Sequence, residues 1–400
     1  MQERISRISF LQFNFFLSIG FIVPFFSLYY RNVLAFSDGR VNYSVIGTIL
    51  FLQSVVGLVS PPIAGILSDK FKIRNRLITL FSILTAFGGL LSAIPAFPGM
   101  QKMDIATRIT FILPGAILIG FATKPIFPLL DTEALAALAM KYNSTDRYGA
   151  IRLFGSIGWI ISASLAGFIA LHAGNLLPLY LLFIGGFVSL SILGSTGISE
   201  KIEKVKLPLK LLREDRKVQL LLIFIFTVAI GMNGSFMFTS LYMSELNVGI
   251  NVIGLAYGLA AIPEVFILSQ TKRIIPRFGL KWMMLAGDVV LLIKLLLFTF
   301  IGTKASPLFF ILIQSLHGIA FPLLYVSWIS YLNEKAHRDL KATYQNINQF
   351  VFTLGSALGN FLVSLIVGAL GVRWMMGFSA GIIVISLCLF FLFSKIFAED

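Results

Sequence analysis

Charged positions in this chain are gathered into short clusters, and the stretches between them are apolar for longer than a soluble core requires. Val41 to Ser68 carries no charge, and neither does Leu77 to Gln101; Asp69, Lys70, Lys72, Arg74 and Arg76 are crowded into the link between them. About 20 apolar residues cross the hydrocarbon core of a bilayer as a helix. Each stretch therefore predicts a transmembrane helix, and the link predicts a loop at the membrane surface. Read this way, the whole chain predicts twelve spans, at 8–30, 44–67, 77–97, 109–138, 150–171, 175–197, 218–243, 251–271, 281–303, 306–332, 344–369 and 374–394. The longest charge-free stretch, Leu153 to Ser199, contains two of them, folded at His172–Asn175. Lipid offers backbone N–H and C=O groups no partner, so spans of this length must be helical. The expected class is an all-α membrane protein.

Composition agrees. The chain is 57% hydrophobic and only 12% charged, against about 25% charged in soluble domains. The net charge of +14 would suit a nucleic-acid binder, but the basic residues lie in the links rather than on one face, and no nucleic-acid partner is expected. Alternating the links between the two membrane sides puts 24 of the 32 Lys and Arg on the side of both termini and six on the other. Positive charge stays cytoplasmic, which predicts cytoplasmic termini and a multi-pass protein of the cell (inner, cytoplasmic) membrane. Ile8–Tyr30, after Arg4 and Arg7, is too long for a signal-peptide core and no small-residue cleavage site follows, so it is expected to remain as the first helix. Cys388 is the single cysteine and there are three His, which leaves neither a disulfide nor a metal site to expect. Zinc spacings, phosphate loops and hydrolase triads are missing too, so no cofactor and no enzyme activity are expected.

The polar link at 200–217 divides the spans six and six, predicting a bundle at 1–199, a cytoplasmic linker and a second bundle at 218–400. The halves echo each other. Asp69-Lys-Phe-Lys-Ile-Arg74 recurs as Pro276-Arg-Phe-Gly-Leu-Lys281, and Tyr148, Ile151 and Phe154 recur as Tyr344, Ile347 and Phe350. Such repeats characterise duplicated transporters. Gly65, Asp69, Lys70 and Arg74 fit the signature G-x-x-x-D-[RK]-x-G-[RK]-[RK] between the second and third helices of the major facilitator superfamily, with Lys72 at the second glycine. The chain resembles that family, and the resemblance implies two pseudo-symmetric six-helix bundles and a conformational role for this loop. Tyr148-Gly-Ala-Ile-Arg152-Leu-Phe-Gly-Ser-Ile-Gly-Trp159 resembles a motif of the branch that holds oligosaccharide:proton symporters, nucleoside:proton symporters and phenylpropionate permeases. It implies that Arg152 meets an acid of span four, Asp131 or Glu133, beside the substrate. Asp131 is preferred, since Glu133 stands two residues nearer the interface. Leu316-His317-Gly318-Ile-Ala-Phe321 resembles the phenylpropionate type; Ala320 stands where sugar symporters carry a coupling glutamate.

An ionisable side chain at mid-membrane costs about 2.5 kcal/mol or more, so each is a functional candidate. Lys124, Asp131 and Glu133 fall in span four, Glu264 in span eight, Asp288 and Lys294 in span nine, and His317 in span ten. Lys124 and Asp131 share a face but stand about 10 Å apart along the axis, too far to pair, and Pro125 and Pro128 predict a kink there. Glu264, His317, Asp288 and Lys294 are the candidates for proton coupling, with Lys294 expected to pair with Glu264; the competing reading of the last two is a structural ion pair. Asp131, Arg152, Trp159, Asn14, Tyr29, Asn233, Asn346 and Gln349 are the candidates for substrate contact, and all of these polar groups equally suit interhelical hydrogen bonding. The expected function is proton-coupled uptake of a small organic solute (sugar, nucleoside or aromatic acid) by a monomer that alternates access. Drug or metabolite efflux by the same fold, or uncoupled facilitation, are the alternatives; span five lacks the G-P-x-x-G-G run of the exporters.

Overall fold

The structure is a computed structural model that describes residues 2–36, 39–142, 148–194, 216–335 and 341–397. Twelve helices among them are long and apolar enough to cross a membrane: α1 (Ile5–Val33), α2 (Tyr43–Ser68), α3 (Arg74–Ala96), α4 (Ile105–Leu138), α5 (Gly149–Ala173), α6 (Leu177–Gly194), α7 (Arg216–Glu245), α8 (Ile250–Thr271), α9 (Arg273–Phe300), α10 (Pro307–Lys335), α11 (Ile347–Leu370) and α12 (Trp374–Leu392). Of the expected linker 200–217, only the last two residues are among those described.

Two sets of six helices repeat one packing scheme. In the first, α1 lies on α5 and α6, and α3 on α4 and α6; in the second, α7 lies on α11 and α12, and α9 on α10 and α12. Adding six to every label maps one set onto the other. The contacts between sets obey the same symmetry, since α5 meets α8 and α11 meets α2. The duplicated loop shows it at the backbone as well. Lys72 ends the second helix at φ 54°, ψ 38°, and its counterpart Gly279 has φ 74°. Positive φ stops a right-handed helix and turns the chain back.

Besides the turn at Gly279, which falls inside the range given for α9, three helices are interrupted. A 3-10 turn, Val23–Phe25, splits α1 around Pro24. Helix α8 breaks at Ala260, just before Pro263, whose nitrogen cannot donate to the Leu259 carbonyl. Helix α10 breaks between Ser315 and His317. Helix α4, by contrast, is one helical segment from Ile105 to Tyr142 through Pro114, Pro125 and Pro128.

Among the described residues, the hydrogen bonds and the ion pair between the two sets lie between mid-depth and the end away from the termini. Ser27 donates to the Met237 carbonyl at 2.6 Å, Arg31 pairs with Glu245 at 2.8 Å, and Asn360 donates to Ser54 at 3.3 Å. Backbones touch where α5 crosses α8: a Cβ at Gly254 would lie 2.7 Å from the Ala163 carbonyl. Following the same helix faces toward the terminus side, Leu153, Ile157, Ile262, Phe266, Phe350 and Leu354 are all exposed. The described contacts between the sets thus close the end away from the termini, and these side chains at the terminus end are left uncovered.

Candidate functional site

The parted faces enclose a chamber at mid-depth. Lys124 is exposed although it stands deep among protein atoms in the middle of α4, so the surface it shows is an internal wall. Its stem lies over Gly57 of α2, where a Cβ would come within 2.7 Å of the Lys124 Cγ. Glu264, His317 and Tyr325 are half-buried at similar depth.

One wall is built from α1, α4 and α5. The Arg152 guanidinium lies over the Phe16 ring at 4.2 Å and within 5.3 Å of the Phe127 centroid. Such cation–π contacts hold a charge without neutralising it. Gln12 of α1 donates to Asp131 Oδ1 at 2.8 Å and fixes that carboxylate. Lys124, Phe127 and Asp131 follow at helical spacing, so cation, ring and anion form one stripe of α4. The opposite wall is aromatic. His317, Phe321 and Tyr325 stack in succession at 6.1 and 5.2 Å along α10, and Phe236 of α7 stacks on the imidazole at 4.8 Å. The walls sense each other electrostatically: the Arg152 charge acts on Glu264, and Asp131 and Arg152 both act on the Tyr325 hydroxyl.

Other candidates are placed elsewhere. Asn14 donates to Ser189 at 2.9 Å, and the Tyr29 hydroxyl to the Ser92 carbonyl at 2.6 Å. Both are spent on packing α1 against α6 and α3, away from the chamber. Trp159 donates to the Tyr257 carbonyl at 3.2 Å and ties α5 to α8. Gln349 is exposed and donates to Thr353 at 3.2 Å, while Asn233 is half-buried with its amide nitrogen unpartnered among the described residues. The side chains of Asn346 and Asp69 lie outside the described set.

The expected Lys294–Glu264 pair is not formed. Lys294 is fully buried without a hydrogen-bond partner among the described residues, 5.8 Å over the Phe298 ring, and its charge acts on His317. The buried amide of Gln314 is likewise unpartnered. Asp288, six residues earlier on α9 and so on another face, accepts from Ser386 of α12 at 2.6 Å. Glu133 is removed from the chamber too. It is buried against Arg74 at 2.9 Å, so the last residue of the loop signature is a pin between α3 and α4 rather than a surface charge. Lys70 stays exposed at the end of the second helix, and Gly65 has open space around it.

Sequence reasoning marks Gln12 as a cavity amide but not as the partner of Asp131, and it missed the Phe16–Phe127 shelf and Tyr325. Only the last had a readable signal, the spacing of His317, Phe321 and Tyr325 by four.

Known proteins are similar along nearly the whole chain. A family model described as MFS_1 like family matches residues 5–378. Maltose permease of Geobacillus stearothermophilus is 24% identical over 91% of this chain and 87% of its own length. Lactose permease of Citrobacter freundii is 24% identical over 81% of this chain and 78% of its own. The crystal structure of the nucleoside transporter NupG shares the fold, with a TM-score of 0.80 at 16% identity over 99% of this chain and 100% of that one.

Proposed function

This chain belongs to the MFS_1 like family of multi-pass membrane transporters that carry small molecules, and on that premise we propose that it is a proton symporter for uptake of a small organic solute. The observation that carries the proposal is the opposition of Arg152, on the first set of helices, to Glu264, on the second, across a chamber at mid-depth. An acid whose charge is answered by a cation on the other bundle links protonation to the distance between bundles. Protonating Glu264 removes an attraction across the chamber and leaves Arg152 available to the solute. His317, with Lys294 behind it, is the second titratable group on the wall. The bundles 1–199 and 218–400 would rock as bodies about this site, joined by the linker 200–217. The excess of Lys and Arg in the terminus-side links supports a cytoplasmic position for the termini, which makes the present arrangement inward-open in the cytoplasmic membrane. The walls offer rings and polar groups suited to a sugar, a nucleoside or an aromatic acid, bound by a monomer.

The test is uptake into vesicles containing the purified chain, with labelled maltose, uridine and benzoate as probes. An inward proton gradient should drive accumulation of at least one probe. Collapsing the gradient should leave only equilibration, and Arg152→Ala or Glu264→Gln should abolish accumulation while the protein keeps its melting temperature. Accumulation by both variants at the wild-type level would refute the assignment.

A further inference from the structure

Lys124 has no place in the coupling scheme, and its surroundings are unusual. It is exposed to the chamber at the middle of α4 although protein surrounds that depth of the helix. Among the described residues it has neither a hydrogen-bond acceptor nor an ion-pair partner, in contrast to the other chamber charges. Asp131 is held by Gln12, and Arg152 has its aromatic shelf and the charge of Glu264. Asp131 stands about 10 Å further along the helix, beyond direct pairing. The stem is seated on Gly57, so the amine is directed by packing rather than left to roam. A cation held at mid-membrane depth without a counter-charge leaves a place for an anion that comes and goes. Phe127, three residues on, carries a ring on the same stripe of α4, with the Arg152 guanidinium 5.3 Å from its centroid. The opposite wall supplies the flat stack of Phe236, His317, Phe321 and Tyr325.

From this geometry we infer that the solute is an organic carboxylate with a flat apolar body, its carboxylate answered by Lys124 and its body lying along the aromatic wall. The inference rests on the chamber being the transport site and narrows its substrate class. It also couples the solute to the proton: a carboxylate held at Lys124 adds negative charge to the chamber that contains Glu264 and so opposes the ionised form of that acid. By reciprocity of linkage, the anion then favours protonation of Glu264 as much as the proton favours the anion.

Binding is measured calorimetrically on the purified full-length chain with benzoate, 3-phenylpropionate and indole-3-acetate, beside their neutral amides, maltose and uridine. A carboxylate is expected to bind at least about tenfold more tightly than its amide. Lys124→Gln should weaken it by about tenfold or more, as truncating one partner of a charge pair does, and Lys124→Arg should recover most of the loss. Lys124→Gln should leave amide binding unchanged, which separates loss of charge from loss of structure. The inference is overturned if no carboxylate outbinds its amide, or if Lys124→Gln leaves carboxylate affinity intact. Proton-driven accumulation of maltose or uridine that Lys124→Gln does not alter would overturn it while leaving the symporter assignment standing. Carboxylate binding that needs Lys124, with no accumulation of any probe, would do the reverse.

Discussion

Lys72 sits at φ 54° where its repeat partner, Gly279, is free of a side chain. A left-handed backbone costs a residue with a Cβ about 1–2 kcal/mol, and Lys72 is exposed. Lys72→Gly is therefore expected to stabilise the protein by about 1 kcal/mol, read as a higher melting temperature in detergent; a lower one would contradict the backbone assignment. The buried Arg74–Glu133 pair behaves oppositely. Removing one partner strands a charge inside the bundle, so Glu133→Gln should cost about 3–5 kcal/mol. The double change Arg74→Met, Glu133→Leu should cost much less, and equal costs would mean the pair is solvated. At this scale sequence reading found the ionisable residues but not their directions. Asp131 and Glu133 are two apart on one helix, yet the first meets Gln12 near the chamber and the second meets Arg74 inside the bundle. Apolar residues occupy all sides of these helices, so periodicity does not separate a wall facing solute from one facing a neighbouring helix. Asn14 and Tyr29 were misplaced for that reason.

Among the elements, the spans were legible because length and charge exclusion define them, and the structure moves their ends by a few residues, except that α9 starts at Arg273 rather than at 281. The breaks were less so. Pro263 marks the interruption of α8, but Pro125 and Pro128 leave α4 in one helical segment, so proline alone does not say where a helix divides. The breaks in α8 and α10 fall beside Glu264 and His317, two titratable groups of the second bundle's wall. Packing between bundles is closest at Gly254, where α8 lies against the α5 backbone. A larger side chain there cannot be seated without separating the bundles at the sealed end. Gly254→Leu is thus expected to open that end. In a Cys388→Ser background, a cysteine at Ser27, now fully buried beside Met237 and Ser240, should react with a hydrophilic thiol reagent at least several-fold faster when Gly254→Leu is added. An unchanged rate would show that α5 and α8 do not form the seal.

For the whole molecule, the sequence echoes between halves anticipated the pseudo-symmetric packing, while the conformational state was not legible, since the same residues must form both the sealed and the parted arrangement. The seal depends on small contacts, including a half-exposed Arg31–Glu245 pair that contributes about 1 kcal/mol or less, so its opening is cheap enough to be driven by solute and proton. The most direct test is a pair of distances taken on one protein: spin labels at Leu153 and Phe266 span the parted end, and labels at Asn32 and Ser244 span the sealed end, both in Cys388→Ser. The wild type should show a long first distance and a short second one, and Gly254→Leu should exchange them, the first shortening as the second lengthens. Distances that change at one end alone, or at neither, would contradict a chamber that opens alternately to the two sides of the membrane.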